Sequence, residues 1–75
     1  MEKAKLYFQK SPGRFFGEYT VAITDTFGKE IVGNMQIREN SLEVGVLEVK
    51  EDKALVLLPK QLNKEIAWIN TYQLN

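Results

Sequence analysis

Apolar and polar residues alternate along much of the chain, which is the pattern that half-buried β-strands impose on a sequence. In the clearest run, Tyr19, Val21 and Ile23 fall on one face, and Thr or Ala residues fill the other. β-Branched residues, which favour strands, are frequent on both faces. The pattern therefore predicts a strand that begins at Tyr19.

Weaker alternating or apolar runs predict the other strands. The first lies around Leu6 and Phe8 and ends at the turn sequence Ser11-Pro12-Gly13. The unbroken run from Ala54 to Leu58 predicts a strand covered on both faces, and Pro59 ends it. Residues 60–65 are too few for a helix and predict one tight turn or a single 3₁₀ turn. The remaining runs span residues 31–38, 42–49 and 66–74.

Gly28 lies midway between two alternating runs and predicts a β-hairpin. With Phe27-Gly28-Lys29 as the loop, Val21 pairs with Met35 and Tyr19 pairs with Ile37. This register places apolar side chains opposite one another, whereas a shift of one residue would oppose them to Gln and Arg.

The chain of 75 residues is expected to form a single domain, residues 1–75, without repeats or a linker. Five or six short strands in so few residues must curl, because an open sandwich would leave a small core and many free edges. The predicted fold is all-β, a small five- to six-stranded antiparallel barrel with a long central hairpin. An OB-like barrel is the alternative, although Glu39-Asn40-Ser41 leaves no room for the helix that such barrels insert.

From Val44 to Leu74 the chain combines Val-Leu-Glu-Val, a charged turn and Ala-Leu-Val-Leu-Leu. A short turn follows, and then a strand that carries an aromatic residue and a terminal Leu. This stretch, less than half of the chain, resembles the closing strands of SH3-like and Tudor-like barrels. The resemblance implies an SH3-like fold, with the hairpin from Tyr19 to Ile37 as an elaboration of the middle strands. It brings no functional motif with it.

The chain has no Cys and no His, which excludes disulfides, thiolate metal sites and the commonest catalytic side chains. Ser11 and Ser41 lie at predicted turns, where small polar residues serve the backbone. We therefore expect no enzymatic activity, catalytic residue, cofactor, metal or small-molecule substrate. The N-terminus lacks the apolar core of a signal peptide, and no apolar run could span a membrane, so we expect a cytoplasmic protein.

The segment Lys10–Gly17 is the candidate binding site, because two cations flank a Pro-Gly turn and two consecutive aromatic residues. Adjacent strand residues point to opposite faces, so Phe15 and Phe16 cannot both enter one core. The preferred structural interpretation buries one Phe and packs the other over the barrel end or under the loop. An exposed Phe beside Lys10 and Arg14 would instead suit a protein partner or a nucleobase. Trp68 is an additional candidate, with packing at the core or barrel rim as its structural interpretation.

Ten basic and ten acidic residues cancel, so no overall field draws the protein to polyanions. Residues 1–14 are mainly basic and residues 39–52 mainly acidic, which predicts a dipolar molecule. We favour a non-enzymatic protein-interaction or adaptor module that binds a protein partner or self-associates. The alternative is a nucleic-acid-binding barrel that uses the basic and aromatic N-terminal loop. It would contact phosphate and bases through Lys3, Lys5, Lys10, Arg14 and an exposed Phe, and its binding would weaken steeply with salt.

Overall fold

The computed structural model describes residues 1–75 as an all-β antiparallel protein, which confirms the predicted fold class. Seven strands form two sheets, with the orders β1-β5-β6-β7 and β2-β3-β4, and a short 3₁₀ helix follows the last strand. The elements are β1 (Glu2–Tyr7), β2 (Gln9–Pro12), β3 (Glu18–Thr24), β4 (Glu30–Gln36), β5 (Ser41–Lys50), β6 (Lys53–Leu57), β7 (Ile66–Asn70) and the 3₁₀ helix (Thr71–Gln73).

Phe8 separates β1 from β2 and divides the first predicted strand between the two sheets. On one side of it, Tyr7 is opposite Ser41 of β5, and on the other side Gln9 is opposite Ala22 of β3. The Phe8 N–H leaves both ladders and donates to the Asn40 carbonyl at 3.1 Å. The N-terminal segment therefore bends at Phe8 and contributes a strand to each sheet.

The predicted barrel is not what the strands form, because the hydrogen-bonded ladders end as two separate sheets. No ladder joins the two sheets, but isolated backbone contacts do, among them the bridge of Gly33 in β4 to Leu62 and the hydrogen bond of 2.9 Å from the Thr26 N–H to the Trp68 carbonyl. Leu74 bridges Leu6 at the outer edge of β1. Continuous pairing of β4 with β7 is prevented because the loop between β6 and β7 occupies the edge of β4.

The hairpin of β3 and β4 has the predicted faces but a register two residues away from the predicted one. Tyr19 is opposite Met35 and Val21 is opposite Gly33. The loop is Thr26-Phe27-Gly28, one residue earlier than the predicted Phe27-Gly28-Lys29, because Asp25 and Lys29 continue the pairing of Thr24 with Glu30. A shift of two residues preserves the period-two pattern, so hydrophobicity alone does not distinguish the two registers.

Asp25 determines the observed register through its side chain. Its Oδ1 accepts hydrogen bonds from the N–H groups of Phe27 and Lys29, both at 2.9 Å. Gly28, which has a φ of 80°, then occupies the left-handed position of a type I turn followed by a bulge. The Asp25 N–H donates to the Lys29 carbonyl at 2.9 Å and closes the loop.

The core lies between the inner faces of the two sheets and contains 12 buried hydrophobic residues. Phe8, Met35 and Ile37 are partly buried against it. The prediction that β6 is covered on both faces is wrong, because Leu57 remains 36% exposed on the outer face. The prediction of a last strand through Leu74 is also wrong beyond Asn70, where the 3₁₀ helix begins. The core residues are Leu6, Val21, Ile23, Ile31, Leu42, Val44, Ala54, Val56, Leu58, Leu62, Ala67 and Ile69.

Candidate binding surface

The loop between β2 and β3 is a tight turn that projects its aromatic side chains into solvent. The Gly13 N–H donates to the Glu18 carbonyl at 2.8 Å, and the Glu18 N–H donates to the Phe15 carbonyl at 3.0 Å. Gly17 has a φ of 83°, which a residue with a Cβ rarely adopts. The Glu18 carboxylate accepts the Arg14 N–H at 3.1 Å. These contacts fix the path of the loop without using either Phe side chain.

Phe15 and Phe16 are both exposed, at 70% and 104% of their reference areas. The interpretation in which one of them is buried is therefore wrong. The strand alternation that motivated it does not apply here, because β2 ends at Pro12 and β3 begins at Glu18. We call Arg14, Phe15 and Phe16 the aromatic tip.

Lys10 does not belong to the aromatic tip, because its ammonium group makes hydrogen bonds to another segment of the protein. The nitrogen donates to the Arg38 carbonyl at 3.0 Å and to the Glu39 carbonyl at 3.3 Å. It also lies 4.2 Å from the centre of the Tyr19 ring, which is a cation–π distance. Lys10 therefore fastens β2 to the segment that leads into β5.

A shallow groove of about 560 Å³ runs beside Phe16, and its lining includes Tyr19, Ile37 and Arg38. Tyr19 and Ile37 are half-buried, whereas Arg38 is exposed. The guanidinium groups of Arg14 and Arg38 make no ion pair and no side-chain hydrogen bond. The aromatic tip and this groove together offer apolar area with two free cations beside it.

Trp68 lies away from the aromatic tip. The tip follows β2, whereas Trp68 accepts a hydrogen bond from Thr26, which lies beyond the other end of β3. Its ring is half-buried opposite Leu55, and the residue helps line a groove of about 300 Å³ with Phe27. The structure therefore brings Arg14, Phe15 and Phe16 together. It places Lys10 against Tyr19 and Arg38 of the neighbouring groove and puts Trp68 beyond the other end of β3.

The outer face of the four-stranded sheet is a second exposed apolar surface, which the sequence reading missed. Leu57 and Ile66 are cross-strand partners, at 36% and 43% exposure, next to the pair of Leu55 and Trp68. Leu47 lies at the bulge in β5 and is 46% exposed. The unbroken apolar run in β6 is the sequence feature that corresponds to this surface, but it predicted a strand buried on both faces and not an exposed one.

The charge asymmetry along the sequence does not separate the charges in space. The basic strand β1 pairs with the acidic strand β5, so that Lys5 lies opposite Glu43. Lys3 forms an ion pair with Glu43 at 3.4 Å. These opposite charges lie side by side in one sheet, and the predicted dipole is reduced accordingly.

Asp25 is buried, with only 3% of its area exposed, but its contacts indicate a structural role. Desolvation by burial raises the pKa of its carboxyl group, whereas backbone hydrogen bonds from Lys29 and Phe27 and the charge of Lys64 lower it. The pKa is lowered overall, so the turn holds a carboxylate.

No group of three or more Asp, Glu, His or Cys side chains is arranged to hold a metal ion. The protein also has no helix with the length and apolar character needed to cross a membrane. No protein-family model matches the chain, and the comparisons with curated proteins and with solved structures found no match either.

Proposed function

We propose that this protein is a non-enzymatic protein-interaction module that binds a partner through the aromatic tip. The observation that carries the proposal is the exposure of Phe15 and Phe16, at 70% and 104%, on a loop whose backbone is fixed by internal hydrogen bonds. Aromatic residues and Arg are the side chains most enriched at the energetic centres of protein interfaces. Burial of one Phe side chain contributes about 1.5 to 3 kcal/mol of favourable free energy, so a partner that covers the tip gains binding energy from it.

The defined path of the loop also favours binding. Binding does not have to order the backbone of this loop, because the hydrogen bonds of Gly13 and Glu18 already fix it in the free protein. Ten large hydrophobic residues are exposed on this small protein, and only the two at the tip are sequence neighbours on a projecting turn. The tip is therefore the best-defined anchor on the surface.

Nucleic-acid binding is the second candidate, supported by Arg38 in the groove beside Phe16 and by the free Arg14 guanidinium. Two of the other expected phosphate contacts are already engaged, since Lys10 bonds to backbone carbonyls and Lys3 pairs with Glu43. Few cations then remain beside the aromatic groups to neutralise phosphate. This difference is why we rank protein binding first.

The SH3-like resemblance remains a proposal about the second half of the chain. It is supported by the order of the hairpin β5–β6, strand β7 and the 3₁₀ helix, after which Leu74 returns to pair with Leu6. The proposal implies a partly open barrel in which isolated bridges take the place of continuous ladders.

The test compares the wild type, F15S/F16S and F27S as immobilised baits for proteins from the native lysate. Phe27 is 76% exposed in a different turn, so F27S matches the loss of surface Phe at another site. We expect both double and single variants to keep their stability within about 0.5 kcal/mol. A protein retained by the wild type and F27S, but lost with F15S/F16S, supports the proposal.

Two further measurements separate the alternatives. Sedimentation of the wild type and F15S/F16S shows whether a second copy covers the tip, in which case only the wild type associates. Amide-resolved NMR titration with mixed-sequence RNA and single-stranded DNA at low and moderate salt tests the second candidate. Salt-sensitive shifts centred on Arg14 and Phe16, with no captured protein, would overturn the protein-binding proposal.

A further inference from the structure

A second groove, of about 640 Å³, lies at the other end of the hairpin β2–β3 from the aromatic tip. It forms where the chain bends at Phe8, because β1 and β2 diverge there and leave the end of β3 uncovered. The first turn of chain after β7 supplies its other side through Tyr72 and Gln73. Its volume falls within the range of ligand-binding clefts. We call it the Gln73 groove.

The backbone of β3 is unpaired where it lines this groove. In β3 the odd-numbered residues bond toward β4, as the Asp25 N–H does to the Lys29 carbonyl at 2.9 Å. The even-numbered residues bond toward β2, and Ala22 is the last of them with a partner there. The N–H and carbonyl groups of Thr24 therefore have no strand partner, and Thr24 lines the groove. A short extended segment of another chain could pair at this position.

Gln73 contributes an acceptor that has no donor. Its side-chain oxygen is fully buried and makes no hydrogen bond. Buried polar atoms nearly always have a partner, and Gln73 lines the groove, so a ligand in the groove is a source for the missing donor. Because the oxygen has no accessible area in the free protein, the Gln73 amide must turn toward the groove to accept that hydrogen bond. The oxygen cannot donate a proton, and the missing partner must therefore carry N–H or O–H groups.

The charge of the groove specifies which donor fits. Glu30 is the one charged residue in its lining, it is exposed, and it forms no ion pair. Tyr7 and Tyr72 also line the groove, and aromatic rings attract cations. No Lys or Arg lines it. A carboxylate, a buried amide oxygen and two aromatic rings together form an acceptor-rich surface.

We propose that the Gln73 groove binds a basic side chain, a guanidinium or an ammonium group, presented by an extended segment of a protein partner. The cation pairs with Glu30 and donates to the Gln73 oxygen, while the segment pairs with the Thr24 backbone. This site is separate from the aromatic tip, so F15S/F16S leaves it intact and the two proposals fail independently.

The test is an amide-resolved NMR titration of the full chain with an acetylated and amidated Gly-Arg-Gly peptide. We expect saturable shifts at Thr24, Glu30 and Gln73, and none with the matched Gly-Gln-Gly peptide. E30Q should weaken binding about two- to fivefold, as expected for an exposed ion pair. E48Q is the control, because Glu48 is exposed, unpaired and outside the groove.

Two variants at Gln73 test the buried acceptor. Q73L removes the oxygen and should weaken binding at least about tenfold, as expected for a lost hydrogen bond to a charged donor. Q73E keeps an acceptor and adds charge, so it should bind the Arg peptide more tightly than the wild type. The unliganded spectrum of each variant establishes that it is folded, and Q73E provides the test if Q73L is not.

Several results would overturn the proposal. Equal shifts with the Gly-Gln-Gly peptide would show that the positive charge is not recognised. If E30Q and Q73E each bound the Arg peptide as tightly as the wild type, the contacts assigned to Glu30 and Gln73 would be wrong. Spermidine binding more tightly than the Arg peptide would assign the groove to a free polyamine and not to a partner's side chain.

Discussion

The ammonium group of Lys64 lies 3.7 Å from Oδ2 of the buried Asp25 carboxylate and joins the loop after β6 to the turn between β3 and β4. The two oxygens of Asp25 have different roles. Oδ1 accepts two backbone N–H groups of its own turn, whereas Oδ2 makes no hydrogen bond and faces the Lys64 charge. The carboxylate thus supports the turn and its contact with a neighbouring loop.

Acid should destabilise the protein through Asp25. Its pKa is lower in the folded protein than the ordinary value of 3.8, so the stabilisation is complete above that ordinary value. It is lost as the pH falls through the lowered folded pKa. Thermal unfolding between pH 2 and pH 6 measures the effect. D25N should have a lower melting temperature than the wild type at neutral pH, and its melting temperature should change less as the pH falls. D52N, which alters an exposed turn, should show the same pH dependence as the wild type.

Gly33 should tolerate no side chain, because a Cβ there would meet the backbone of Gln61 and the Cα of Leu62. G33A must displace the loop that covers the edge of β4, and we expect it to destabilise the protein by about 1 to 3 kcal/mol. G45A is the matched strand variant, since its Cβ would meet the flexible end of Met1. Urea unfolding of both should show G45A within about 0.5 kcal/mol of the wild type. Equal losses would refute the close backbone approach at Gly33.

Lys10 should contribute to stability and not to partner binding. K10M removes two hydrogen bonds to carbonyl groups and the contact with the Tyr19 ring. We expect a loss of about 1 to 2 kcal/mol in the free energy of unfolding. K5M is the control, since the Lys5 ammonium has no partner in the structure. If K10M is as stable as the wild type but no longer binds the partner, the prediction is wrong and Lys10 belongs to the binding surface.

Glu51 has a φ of 59° in the turn between β5 and β6, a region that favours Gly. The left-handed conformation costs a residue with a Cβ about 1 to 2 kcal/mol, and the greater freedom of Gly in the unfolded chain offsets part of the gain. E51G should therefore stabilise the protein by about 0.5 kcal/mol and raise the melting temperature by about 2 to 4 °C. E51A loses the same charge without relieving the backbone, so an equal rise in both variants would identify charge as the cause.

The alternation of polar and apolar residues was sufficient to predict an all-β fold and the faces of β3. It could not select the register of the hairpin, because side chains repeat their orientation every two residues. The decisive group was the Asp25 carboxylate, whose hydrogen bonds favour a loop one residue earlier than a loop centred on Gly28. The sequence Asp-Thr-Phe-Gly at residues 25–28 carries this signal as turn chemistry and not as hydrophobicity.

The aromatic residues show a similar limit. Composition and position indicate Arg14, Phe15 and Phe16 as candidates, but strand alternation does not predict their exposure, because these residues lie in a turn. Lys10 looked like a free cation because its acceptors, the carbonyls of Arg38 and Glu39, are distant in sequence. The Gln73 groove had no sequence signal, because it depends on the bend at Phe8 and on a 3₁₀ helix that interrupts the expected last strand.

The bend at Phe8 also bears on how the molecule opens. One continuous segment supplies β1 to the four-stranded sheet and β2 to the three-stranded sheet. Because the two strands are joined at Phe8, β1 cannot leave its sheet without displacing β2, and the reverse also holds. The two sheets should therefore behave as one cooperative unit in hydrogen exchange. Amides in β3 and in β6 should then share the same slow, global opening event, although no ladder connects them.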